Sequence, residues 1–209
     1  MKKFFLLLIS LSHALPLLAE EKGFYVKGGL SYSFPDDQPE TNFGQSTWHF
    51  HNGVGFHLAL GRKYSDKVAF ELEAQHKEFD FEKATYTVAD DVQYDGSLTY
   101  ETYFVNAYYY PVIEAKNRYW RPYFGAGLGV AEAGWNNVKN TSSDSYTDSD
   151  SVTAFQVMLG NRIEIRSGLF LDAEYRYFQT SDYVVDVTAL GKFVDSQHHS
   201  AMFSLVKEF

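Results

Sequence analysis

Apolar and polar residues alternate along most of the chain with the two-residue period of a half-buried strand. From Gly23 to Phe34 one phase holds Phe24, Val26, Leu30, Tyr32 and Phe34, and the other holds Tyr25, Lys27, Ser31 and Ser33. Trp48 to Leu60 sets Trp48, Phe50, Asn52, Val54, Phe56, Leu58 and Leu60 against His49, His51, Gly53, Gly55, His57 and Ala59. Val68, Phe70, Leu72 and Ala74 then oppose Ala69, Glu71, Glu73 and Gln75, and Leu98 to Pro111 sets Tyr103, Val105, Ala107 and Tyr109 against Thr102, Phe104, Asn106 and Tyr108. The second half repeats the pattern over Tyr119 to Ala131, Val152 to Ile165, Leu169 to Thr180 and His198 to Phe209. The alternation predicts an all-β chain of eight strands, each long enough for the roughly 9 to 11 residues of a tilted membrane strand.

Connections alternate as well. Long polar stretches (Pro35–Thr47, Glu82–Ser97, Gly134–Ser151 and Ser181–Gln197) separate strands one and two, three and four, five and six, and seven and eight, while the other three joints are short turns such as Arg166-Ser167-Gly168. This is the layout of an eight-stranded antiparallel up-and-down β-barrel with one loop-rich end.

Periodicity cannot say which phase faces inward, but composition can. The polar phase carries charges of both signs on neighbouring strands, Arg162 and Glu164 beside Asp172, Glu174 and Arg176, together with Glu71 and Glu73. It also carries glycines at 53, 55, 125, 127 and 129, which leave room for bulky neighbours in a narrow lumen. Aromatic residues of the apolar phase (Phe24, Phe34, Trp48, Phe50, Tyr109, Tyr177 and Phe209) fall near strand ends, as interfacial girdles do. The expectation is a transmembrane barrel with its apolar phase in lipid and a lumen network of Glu71, Glu73, Arg162, Glu164, Asp172, Glu174 and Arg176.

Composition narrows the class further. In 209 residues, 45% are hydrophobic and 18% aromatic, with no Cys and 18 basic against 27 acidic residues. A disordered chain, a disulfide scaffold and a basic nucleic-acid binder are all excluded, and no nucleic-acid partner is expected. Lys2 and Lys3, the apolar run Phe4 to Leu11 and the small Ala19 have the order of a secretory signal peptide over residues 1–19, leaving one barrel domain over residues 20–209. Its removal takes two basic residues and leaves 16 against 27, a net charge of −11.

Four segments carry a family resemblance: Phe24-Tyr25-Val26-Lys27-Gly28-Gly29, Pro122-Tyr123-Phe124-Gly125-Ala126-Gly127-Leu128-Gly129, Leu171-Asp172-Ala173-Glu174-Tyr175-Arg176-Tyr177, and a last strand ending in Phe209. In this order the chain resembles the small outer-membrane barrels of the OmpA-type and opacity-protein-like superfamily. The resemblance implies a barrel in the bacterial outer membrane, with both termini in the periplasm and long loops outside, and with the last residue at Phe209 the periplasmic peptidoglycan-binding domain of longer relatives is not expected. It also implies that Phe209, Leu205 and Phe203 form the signal read by the barrel-assembly machinery. Ala201 fits that pattern and Lys207 departs from it.

Candidate chemistry is sparse. His49, His51 and His198 fall on the predicted lumen phase near the loop-rich end, a geometry that could hold zinc, but no Cys joins them and strand one intervenes. A lipid A-modifying enzyme would need a nucleophile beside a base, and the nearest candidates are His76 and the adjacent His199 and Ser200, which a regular strand points to opposite faces. Asp144, Asp148 and Asp150 lack the Gly and terminal Glu of a calcium loop. No catalytic, metal or cofactor site is expected, nor is an enzyme. The expected function is that of a surface protein with a structural or adhesion role, binding a host ligand through its loops among outer-membrane lipid and lipopolysaccharide. A narrow ion-conducting pore and a lipid-modifying enzyme are the alternatives. The loop acids Asp36, Asp37, Glu40, Glu82, Asp90, Asp91, Asp95, Asp144, Asp148, Asp150, Asp182, Asp186 and Asp195, against Lys83, Lys139 and Lys192, predict a negative field at that end.

Overall fold

A computed structural model describes residues 23–39, 46–86, 92–111, 120–139, 146–184, 192–193 and 195–209. The predicted signal segment, residues 1–19, and Glu40, Asp90, Asp91, Asp144 and Asp186 of the loops lie outside them. Eight long strands form the wall: β1 (Phe24–Pro35), β2 (Gly53–Lys63), β3 (Val68–Tyr86), β4 (Asp95–Tyr109), β5 (Trp120–Lys139), β6 (Tyr146–Arg166), β7 (Leu169–Thr180) and β8 (Gln197–Glu208). Each pairs antiparallel with the next, and β1 pairs with β8 from Tyr25↔Glu208 to Pro35↔His198, so the sheet closes on itself. Closure leaves no edge in the ring, and every wall strand finds a hydrogen-bonding neighbour on both sides.

The two phases take opposite environments. Leu30, Leu72, Leu128 and Phe203 point outward and are 61% to 72% exposed, whereas Lys27, Arg162 and Arg176 point inward and are 0% exposed. Water would not tolerate such a continuous apolar belt, while a bilayer needs one. Inside, the glycines allow close approach: a Cβ at Gly160 would strike the Tyr123 ring, and one at Gly61 the Tyr25 ring.

Above the belt the polarity inverts without a change of pleat. In β3, Phe70 and Leu72 face out and Glu71 and Glu73 face in, but ten residues on Glu78, Asp80 and Glu82 face out and Phe79 and Phe81 face in. In β5, Leu128 and Val130 give way to Glu132 and Asn136 on the outer face, over an inner file of Ala131, Ala133 and Trp135. The wall therefore rises past the belt as an ordinary water-facing barrel with an aromatic core. This corrects the predicted boundaries, because Glu82–Tyr86, Asp95–Ser97, Gly134–Lys139 and Tyr146–Ser151 are strand and not loop. Their polar composition reads as loop only because the side that water touches has become the outer one.

A second correction concerns Trp48 to Leu60, predicted as one uninterrupted strand. The chain breaks into Ser46–Phe50 and β2, with His51 and Asn52 between them. Ser46–Phe50 pairs with the top of β3 and shifts register between His49 and Phe50. Phe50 and Gly53 both turn inward although three positions apart, as do Phe81 and Ala84 opposite them. One extra residue in each chain flips its faces. Trp48 is consequently buried in the core and not on a lipid-facing girdle, and His49 points out of the barrel.

Candidate functional site

The interior is layered along the barrel axis. At the end carrying the termini, Tyr25, Tyr110, Tyr123, Phe170 and Val206 pack together. The Arg162 guanidinium stands over the rings of Tyr25, Tyr110 and Tyr123 at 5.0, 5.8 and 5.8 Å. Such cation–π contacts strengthen when water is excluded.

The middle layer is a connected charge network. Lys27 of β1 lies 3.0 Å from Glu174 and 3.5 Å from Asp172. Arg162 reaches Asp172 at 3.1 Å across the β6–β7 hairpin. Arg176 bridges Glu174 at 2.5 Å and Glu73, on the opposite wall, at 2.7 Å, and donates to Gln156 at 3.1 Å. Tyr123 donates to Asp172 (2.6 Å) and Glu174 (2.8 Å). Glu71 is held by neutral donors, Tyr108 at 2.9 Å and Asn106 at 3.3 Å, and Asn106 also donates to Glu73 at 2.6 Å. Charges spread over β1, β3, β6 and β7 thus tie opposite walls together across the axis.

Of the predicted lumen residues, six meet in this layer. Glu164 stands apart at the mouth by the termini, half-buried and 4.0 Å from Arg121, where Lys63 and Glu208 also pair at 2.5 Å. Sequence reasoning left Lys27, Tyr108, Tyr123, Asn106 and Gln156 out of the network. Their signal was available, since each sits on the inward phase of its strand.

Above the network lies Lys77, 2.8 Å from His198 Nε2 and 3.3 Å from Ser200, which also bonds Ser33 at 2.8 Å. Trp48, Phe79, Phe81, Leu98, Tyr100, Trp135 and Phe178 close the lumen over it. Lys77 was missed although it continues the inward phase of Glu71, Glu73 and Gln75 two residues further along β3.

The histidines are not brought together. His49 bonds Asp37 at 2.8 Å and Thr85 at 3.1 Å on the outer side, correcting its expected lumen position, and His51 is exposed in the break before β2. His198 alone of that trio is inside. His199 faces out and bonds Tyr175 at 2.6 Å, while Ser200 faces in, so these neighbours lie on opposite faces of β8. His76 faces out against Glu101 at 2.8 Å. On β8, Phe203 and Leu205 face out, and the Phe209 N–H donates to Phe24 O at 2.9 Å.

Comparison with known proteins bears on this architecture. Among solved structures the chain is similar to OprG from Pseudomonas aeruginosa (TM-score 0.63, 15% identity, 90% of this chain and 97% of that one). It is also similar to Neisserial surface protein A (0.58, 14%, 90% and 98%). A third is Ail of Yersinia pestis, solved in complex with the heparin analogue sucrose octasulfate (0.51, 17%, 90% and 100%). At these identities the likeness is one of fold. No curated protein sequence matches the chain. The family model for the outer membrane protein beta-barrel domain matches residues 4–203, which runs through seven strands of the ring and into the eighth, and the chain accordingly belongs to that family and to the outer membrane.

Proposed function

We propose that the protein is a non-enzymatic surface barrel whose raised, acidic rim is its interaction surface, with the termini in the periplasm and the rim outside the cell. The rim supports this reading best. Four strands continue past the apolar belt to hold up a solid, aromatic-cored platform, and its outer side carries exposed Asp36, Asp37, Glu78, Asp80, Glu82, Asp95 and Asp182. Rigid barrels carry recognition on such projecting parts. A negative platform attracts a cationic segment of a host surface protein and repels a polyanion, a ligand class opposite to the sulfated heparin analogue in the Ail complex. In this reading the charge network is a structural plug, and Phe209, Leu205 and Phe203 are the assembly signal that the barrel-assembly machinery reads before the chain settles among lipid and lipopolysaccharide.

The same packing argues against the narrow pore, which would need the aromatic layer and the charge network both to part, and single-channel steps are not expected in planar bilayers. No acyl substrate can reach Ser200 beneath the aromatic layer. The test is adhesion of cells carrying Asn at Asp36, Asp37, Asp80 and Asp182, measured across a salt series. Binding that falls with the substitutions and with ionic strength supports the reading, because the Debye length shrinks to about 8 Å at 0.15 M. Binding indifferent to both overturns it.

A further inference from the structure

The outer face of β2 to β5 is unevenly filled. Cross-strand rows there read Arg62–Phe70–Ala107, then Leu60–Leu72–Val105, then Leu58–Ala74–Tyr103, going away from the termini. Ala74 is a small residue between two large ones, and a hollow of about 430 Å³ opens over it. A second hollow of about 210 Å³ lies between Phe24, Leu60, Arg62 and Phe70. Both share Leu60, Leu72 and Val105 as walls, so they join into one apolar trough. Four residues separate Leu58 from Arg62, roughly 13 Å at about 3.3 Å per residue. That is close to one leaflet of a hydrocarbon core of about 30 Å.

The trough ends in a positive charge. Arg62 is exposed at the end carrying the termini, its guanidinium 4.9 Å over the Phe24 ring. A guanidinium held at an apolar boundary is suited to a phosphate, which it can grip with two parallel N–H donors. The opposite end of the same face carries the row Phe56–His76–Glu101–Glu132, whose carboxylates repel a phosphorylated headgroup. A second copy packed symmetrically on the trough would bring two Arg62 side chains to the same height in an apolar contact, at a cost in like-charge repulsion.

We propose that this trough binds one anionic glycerophospholipid of the leaflet nearer the termini, with an acyl chain over Ala74 and the phosphate on Arg62. The experiment titrates the detergent-solubilised barrel with phosphatidylglycerol, phosphatidylcholine or lipid A and counts bound lipids by native mass spectrometry. One phosphatidylglycerol should bind about tenfold more tightly than phosphatidylcholine, whose phosphate is offset by a quaternary ammonium that the Arg62 guanidinium repels. Arg62→Gln should erase that preference, and Ala74→Trp should remove retention of both lipids. Arg166→Gln, which removes an exposed cation of the same end away from the trough, should change nothing. Should Ala74→Trp not fold, as judged by heat-modifiable gel mobility, the Arg62→Gln and Arg166→Gln pair decides alone. Equal phosphatidylglycerol preference in both arginine variants overturns the proposal, as does lipid A displacing phosphatidylglycerol at equal concentration.

Discussion

Replacing Arg176 by Met probes the plug at its most connected member. The guanidinium joins Glu73 on β3 to Glu174 on β7, and its loss affects the two acids unequally. Glu174 keeps Lys27 at 3.0 Å and the Tyr123 hydroxyl at 2.8 Å. Glu73 is left with a neutral hydrogen-bond donor, the Asn106 amide at 2.6 Å, and becomes the stranded charge. Removing one member of a buried pair costs about 3 to 5 kcal/mol, chiefly because the other is left uncompensated. Neutralising Glu73 should therefore rescue the variant. Arg176→Met with Glu73→Gln is expected to be less destabilised than the sum of the single changes by about 2 kcal/mol, within the range of coupled neighbours. Urea unfolding from lipid vesicles, followed by tryptophan fluorescence, measures all three variants against the parent chain. Additivity within about 0.5 kcal/mol, the behaviour of independent sites, would refute the idea that Glu73 is the acid Arg176 holds.

Three further outcomes follow from the layering. Leu171→Arg, on the lipid-facing side of β7, should cost about 2 to 4 kcal/mol or block assembly in a vesicle-folding assay, whereas Glu82→Arg, outward above the belt, should stay within about 0.5 kcal/mol. Trp135→Ala removes the centre of the upper aromatic layer, where its ring lies 5.0 Å from Trp48 and 4.9 Å from Phe81. A loss of about 3 to 5 kcal/mol and a weakened near-ultraviolet circular dichroism signal are expected. Gly160→Ala should cost about 1 to 3 kcal/mol in the same unfolding assay by pushing Tyr123 off Asp172 and Glu174, while Gly28→Ala, whose Cβ would meet its nearest atom at an ordinary 3.4 Å, should be neutral.

The sequence alone determined the wall. A period of two fixes which residues share a face, and charges of both signs on one face with Leu, Val and Phe on the other fix which face meets lipid. Strand number, order and six of the seven charges that meet in the middle layer, all but Lys27, follow from that alternation, because neighbours in an up-and-down sheet are neighbours in sequence. Tertiary structure decided where the belt stops. Glu82 reads as the start of a loop until the wall shows that water, and no longer lipid, touches its outer side there, as it does at Glu78 and Asp80 just before, so that polar-out and apolar-in become the stable arrangement. The inward turn of Trp48 likewise depends on one extra residue in each of two paired segments, and a residue pattern along one segment cannot reveal the register of the other. Partners across the axis, Arg176 with Glu73 above all, were also beyond the sequence, since alternation assigns a face to each side chain but says nothing of which side chains on opposite walls of a closed ring come within reach.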